Sequence, residues 1–248
     1  MTTRTFDARP SPFHPAHHSI YALANLPDPA FQSAAPRSWS WFLPWGLDQG
    51  QEGACVGHGI TEELYNKPDM VDFAKRWPIW AAKTLEVIMR QGSKQEIAQA
   101  YAFDSYYEFR RQDEFPGEDY EGTSLNAGAK LTKALGYWKG YYWAGNALEL
   151  RRWLRFGNVV AATPWFDGFD RPTPSSKRGF QGWFEPTGAI RGWHCYLLNR
   201  NSESHGGLWT PNSWGGDGQG WFSFETIDRM IQENEAEYLI PMYREVRT

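Results

Sequence analysis

Helix-type patterns run up to Gly157 and strand-type patterns take over at Asn158, and this division most constrains what the chain can become. Cys55 to Asn66 reads as a helix after a Gly-rich turn. Residues 77–107 contain helical stretches, with an apolar series through Trp80, Thr84, Leu85, Ile88 and Met89. Thr123 or Ser124 can cap a helix ending at Gly136, with Leu125, Leu131 and Leu135 apolar. Asn146 and Glu149 form a capping-box pattern that Gly157 closes. Strand patterns then follow at Asn158 to Thr163, Trp193 to Asn199, Leu208 to Thr210, Trp221 to Phe224 and Tyr238 to Tyr243. Helices first and strands second predict an α+β fold rather than a parallel α/β sheet.

A second break lies at Gly46. The first 45 residues hold seven of the 16 prolines and neither a glycine nor a lysine, which reads as an extended arm. The expected organisation is a Pro-rich arm over 1–45 and one domain over 46–248. That domain divides into a helical lobe over about 46–157 and a β-rich lobe over about 158–248. The arm is expected to dock in extended form, on this domain or on a partner chain, rather than fold as an inhibitor. Docking of this kind leaves the labelling of Cys55 unchanged when residues 1–25 are removed. His14, His17 and His18 stand in the arm, but no Cys, Asp or Glu follows closely, so they read as solvated rather than metal-binding. No metal or cofactor is expected.

A chain of 248 residues can bury most of its apolar surface without staples. Two cysteines, Cys55 and Cys195, cannot build a disulfide framework or a four-Cys zinc site. The formal charge of −4, mixed along the chain, offers no basic field to nucleic acid. No run approaches the roughly 20 apolar residues of a membrane span, and residues 1–19 lack the apolar core of a signal peptide. The expected location is the cytoplasm, or a virus particle if the chain is phage-encoded. The 14 Trp, 12 Tyr and 15 Phe suggest wide packed loops or a large contact surface.

Three short segments carry chemistry. In Asp48-Gln49-Gly50-Gln51-Glu52-Gly53-Ala54-Cys55 a cysteine opens a predicted helix, where free N–H groups and the helix dipole favour a thiolate. Gly53 lets a substrate backbone approach, and the Gln49 amide could donate to an oxyanion. In Gly192-Trp193-His194-Cys195 a histidine starts an apolar strand, and alternation turns Cys195 to the opposite side, into the core. In Pro211-Asn212-Ser213-Trp214-Gly215 an asparagine could orient an imidazole, with a tryptophan to shield the bond.

In order and spacing, Cys55, His194 and Asn212 resemble the triad of papain-like cysteine peptidases of the bacterial and phage type, along nearly all of 46–243. The resemblance implies a two-lobed fold with Cys55 as nucleophile, His194 as base and acid, and Asn212 orienting the imidazole. It further implies that Gln49 and the Cys55 N–H form the oxyanion hole, while Gly53, Trp193 and Trp214 line the substrate cleft. The implied partner is a protein or peptide substrate. A further protein partner or assembly could engage the arm. Departures from the family are Glu52 where secreted relatives carry a cysteine, Val56 after the nucleophile, Tyr196 and Asn199 after the histidine, a shorter loop after Trp214, and an insertion over about 67–100.

Bland readings stand beside these. A lone Cys near glycines is usually structural, and a lone strand His is usually a satisfied core residue. His58, one turn after Cys55, is a rival base that a shared helix seldom lets reach the sulfur. His205 and the pair Glu62-Glu63 read as solvated, and the aromatics from Trp138 to Trp143 read as packing before a sugar platform. The alternative functions are a catalytically idle module of this fold, as in a phage particle, and a cell-wall amide hydrolase.

Overall fold

A computed structural model describes residues 6–12, 33–68, 70–73, 92–115, 121–173, 182–215 and 218–243. In chain order the elements are β1 (Ala8–Arg9), β2 (Trp39–Ser40), α1 (Cys55–Tyr65), α2 (Lys94–Gln112), β3 (Thr123–Ser124), α3 (Leu125–Ala134), β4 (Gly140–Trp143) and α4 (Ala147–Trp153). Then come β5 (Val159–Phe166), a short 3₁₀ turn (Asp167–Asp170), β6 (Ile190–Leu198), β7 (Arg200–Ser202), β8 (Gly207–Thr210), β9 (Gly220–Ser223), α5 (Phe224–Asn234) and β10 (Glu237–Met242). The expected series from Trp80 to Met89, His14, His17 and His18 lie outside the described residues.

The helices begin where local chemistry satisfies their free N–H groups. Ser93 forms a reciprocal capping box with Glu96, and the side chains of Ser124, Asn146 and Ser223 accept from Ala127, Glu149 and Thr226. One sheet runs β4-β10-β5-β6 and a second β2-β7-β8-β9, both antiparallel. The turn at Asn199 passes β6 of the first sheet into β7 of the second. β5 is flanked by β10 and β6, and all eight of its residues are buried, as a run apolar except at Thr163 requires; the Thr163 hydroxyl lies 3.2 Å from that of Tyr196. Helices before strands give the α+β class. Several elements fall outside the expected pattern: the short strands β1, β2 and β3 lie in the arm and the helical stretch, β4 pairs with β10 from within that stretch, and α5 follows β9 without a break.

α1 is the centre of the molecule. All eleven of its residues are buried, because α2 packs on one side and β6 on the other. The solvated reading of Glu62-Glu63 is therefore corrected. Glu63 accepts from the Trp138 indole at 2.9 Å and the Tyr243 hydroxyl at 2.6 Å. Glu62 accepts from the Leu47 backbone N–H at 3.1 Å, and burial pushes its pKa up to about 8. Partners from three distant segments make these carboxyls affordable inside; a buried acid with none is strongly destabilising. Trp138 and Trp143 are buried, as the packing reading expects.

Candidate active site

His194 sits on β6, opposite Thr163 of β5, and is fully buried. Its Nε2 lies 2.8 Å from Asn212 Oδ1. Asn212 takes a left-handed backbone (φ 54°), a conformation asparagine tolerates better than most residues. Both ends of its amide are committed: Oδ1 accepts from Ser213 N–H at 2.8 Å and Nδ2 donates to Gly218 O at 3.1 Å. With the oxygen so fixed, His194 Nε2 must carry the proton, and in the neutral ring Nδ1 is the basic nitrogen. Trp214 lies over the imidazole (4.8 Å, 31°) and Trp165 meets it edge-on (4.9 Å, 86°). The Asn212–His194 bond is thus boxed by two indoles.

Cys55 stands at the first position of α1 and is also fully buried. The backbone N–H groups of Cys195, Ala8 and Val56 lie near enough to the sulfur to favour its thiolate. The helix start predicts a depressed thiol pKa, and this expectation is corrected. Burial pushes the Cys55 thiol up to about 11, the Asp7 carboxyl adds to the rise, and the three N–H groups offset only part of it. Cys195 faces the other side of β6, into the core against α1, as strand alternation predicts.

Gln49 is held by its neighbours. Its backbone N–H donates to Ser213 O at 3.1 Å, its Oε1 accepts from Ser213 Oγ at 3.0 Å, and its Nε2 donates to Glu52 O at 3.1 Å. Ser213 follows Asn212 directly, so one dipeptide steadies both His194 and Gln49. Glu52 accepts from the Tyr107 hydroxyl. His58 turns from the sulfur: its Nδ1 lies 2.8 Å from Ala54 O. His205 is half-buried, with Nδ1 2.7 Å from Ser202 Oγ, rather than solvated.

The feature that no sequence pattern announced is what lies over Cys55. The segment 6–12 of the arm runs extended along the cleft, with Asp7 bridged to Trp193 and β1 pairing parallel with β3. Phe6 stacks on Trp165 and meets His194 and Trp214 edge-on, all within 6.0 Å, and the Arg191 guanidinium covers its ring. A Cβ on Gly53 would lie 2.6 Å from the Asp7 carboxylate, and one on Gly122 would lie 1.5 Å from Asp7 O. Only glycine lets the segment lie this close. Ser11 closes the strap with N–H and Oγ bonds to Glu237 at 2.6 and 3.0 Å.

The Ala8 N–H favours the Cys55 thiolate, and the Asp7 carbonyl oxygen lies against Gly122. The described arm segment 6–12 is extended and lies on this domain, against Gly53 and Gly122 beside Cys55.

Of the residues expected from sequence, His194, Asn212 and Trp214 meet one another, Gln49 is bonded to Ser213 beside Asn212, and Gly53 and Trp193 adjoin Asp7 of the arm. Sequence reading missed Trp165 and Phe6. Trp165 is placed by the β5–β6 register, and Phe6 by tertiary packing that leaves no local signal.

Among solved structures the chain is similar to xylellain, a cysteine protease from Xylella fastidiosa, with a TM-score of 0.60 and 14% identity over 99% of each chain. It is also similar to a stem bromelain precursor (TM-score 0.47, 15% identity, 88% of this chain and 74% of that one). A third is bromelain from Ananas comosus in complex with the E64 inhibitor (TM-score 0.46, 14% identity, 85% and 100%). No protein-family model and no curated protein matches the chain. The fold is that of the papain-like cysteine proteases. No helix among the described residues is long and apolar enough to cross a membrane.

Proposed function

We propose that the protein is a cysteine peptidase in which Cys55 is the nucleophile, His194 the general base and acid, and Asn212 the orienting residue. The observation that carries this reading is the His194–Asn212 pair. Its geometry leaves Nδ1 basic, it is walled from water by indoles, and the backbone N–H of the next residue on its strand favours the Cys55 thiolate. His194 takes the thiol proton as sulfur attacks a peptide carbonyl, forming the C–S bond and moving the π pair onto oxygen. That oxyanion is held by the Cys55 N–H and the second N–H of the Gln49 amide. The pair returns, the C–N bond breaks, and His194 gives its proton to the leaving amine. Water then attacks the thioester with His194 as base, restoring the thiol. An extended peptide lying in the cleft supports the peptide substrate class, since the strap uses backbone pairing that any extended chain offers.

A thiol-directed epoxide followed by peptide mapping tests the reading, applied to the full chain and to a chain lacking residues 1–12. Modification of Cys55 that blocks cleavage of an unfolded protein is expected. Modification of Cys195 alone, or cleavage that survives Cys55→Ala, would overturn it.

A further inference from the structure

The segment before Cys55 is gripped, residue by residue, by side chains that the catalytic scheme does not use. Gln95 Nε2 on α2 donates to Gly46 O at 3.3 Å, and Glu62 accepts from Leu47 N–H. Gln99, one turn beyond Gln95 on the same face, takes both ends of Asp48: its Oε1 accepts from Asp48 N–H at 2.9 Å and its Nε2 donates to Asp48 O at 2.8 Å. That double bond to the backbone is what a neighbouring strand would supply, and here one side chain supplies it.

Gln99 is itself held. Its Nε2 lies 2.8 Å from Nε2 of buried His58, whose ring meets Phe103 edge-on at 4.8 Å. Because Asp48 fixes which end of the amide is nitrogen, His58 Nε2 must accept, and Nδ1–H must donate to Ala54 O. The imidazole is therefore neutral, and its pKa, lowered by burial to about 4, agrees. His58 thus bridges two peptide units. Ala54 O belongs to the peptide whose N–H is that of Cys55, and Asp48 O belongs to the peptide that begins Gln49. These are the two donors of the oxyanion hole in the reading above, on which this inference rests.

We infer that Gln99, braced by neutral His58, is a positioning residue that sets the spacing of the Gln49 amide from the Cys55 N–H. Two effects follow from the bonds. The Asp48–Gln49 peptide cannot tilt without breaking the bond from Gln99 Nε2 to its carbonyl, and the Leu47–Asp48 peptide before it is held through the Asp48 N–H on Gln99 Oε1. The bond from His58 to Ala54 O also polarises the same peptide whose N–H faces the oxyanion, which makes it a stronger donor.

Alkylation of Cys55 by iodoacetamide displaces iodide and builds no oxyanion, whereas peptide hydrolysis does. Both reagents have to displace Phe6 to Ser11, so the strap cancels in their ratio. In the full chain, Gln99→Met keeps the volume and loses the bonds. It should lower kcat about tenfold, less than the loss of an oxyanion donor itself, with KM and the alkylation rate within about twofold. Gln95→Met, two residues further from Gln49, should lower kcat about twofold. An unchanged kcat in Gln99→Met, equal losses from both variants, or alkylation that slows in step with hydrolysis would overturn the positioning role. A wild-type chain that alkylates at Cys55 yet hydrolyses no peptide would overturn the peptidase reading, and this one with it.

Discussion

The two walls of the cleft are built on different principles. The His194 wall is rigid and aromatic: Trp165, Trp214 and Tyr196 surround the imidazole, and one asparagine with three side-chain hydrogen bonds sets its tautomer. The Cys55 wall is polar and backbone-rich, with buried His58, Glu62 and Glu63 beneath it and the arm above it. The imidazole's surroundings belong to the fold. The thiol is held protonated chiefly by burial, to which the Asp7 carboxyl of the arm adds. An aromatic box fixes a geometry, while a polar floor under a removable cover lets reactivity change without moving the nucleophile.

The largest effect that would break this contrast comes from the reacting groups. Cys55→Ala and His194→Ala should each lower peptide hydrolysis by on the order of 10⁴-fold or more, with the circular dichroism spectrum unchanged. Asn212→Ala should cost less, because it removes orientation and not the nucleophile. Loss of hydrolysis accompanied by loss of the folded spectrum would place the residues in the core and not in the chemistry.

Next in size is the cover. Removing residues 1–12 should return the thiol from about 11 towards the ordinary value near 8.5. The alkylation rate of Cys55 at neutral pH should then rise roughly 10²-fold, following the thiolate fraction. A profile of alkylation against pH measures it directly. Phe6→Ala keeps the chain but empties the aromatic box, and should give a smaller rise, about tenfold, in line with burial of one aromatic ring. If neither change alters the rate, the arm does not control the thiol.

Much of the His194 wall was legible in the sequence, and much of the Cys55 wall was not. The strands, the Ser124 and Asn146 caps, and the order of Cys55, His194 and Asn212 are all written in local patterns. α5 was also written, in Ile227, Met230 and Ile231, but it follows β9 with no glycine or proline between, so the strand pattern hid it. Glu62 and Glu63 read as solvent-facing because their partners Leu47, Trp138 and Tyr243 lie 15 to 180 residues away. Phe6 to Ser11 carries no motif. Its place follows from Gly53 and Gly122 leaving room and from Trp165 offering a face, and sequence periodicity encodes neither.

The smallest effect separates the walls by pH. Glu62 ionises near 4.5 when the chain is unfolded and near 8 in the fold, because burial disfavours the carboxylate. The folded state therefore holds this proton more tightly. The stability from this group is whole below about 4.5 and is lost as pH rises to about 8. Glu62→Gln keeps an acceptor for the Leu47 N–H and has no proton to lose. Its melting temperature should match that of the wild type near pH 4.5 and exceed it by roughly 10 °C at pH 8.5, given the few degrees that each kcal/mol moves a chain of this size. His58 works at the other edge: its pKa is lowered to about 4, so its contribution is whole above 6.5 and fades as pH falls to 4, in the variant and the wild type alike. Phe184→Leu, among the rings of Trp165, Phe169 and Phe222, should lower the melting temperature by a similar amount at every pH in this range, since its ring contacts are with other aromatic rings. A Glu62→Gln difference that stays flat from pH 4.5 to 8.5, or a Phe184→Leu difference that slopes, would show that the pH sensitivity of the fold does not reside beneath Cys55.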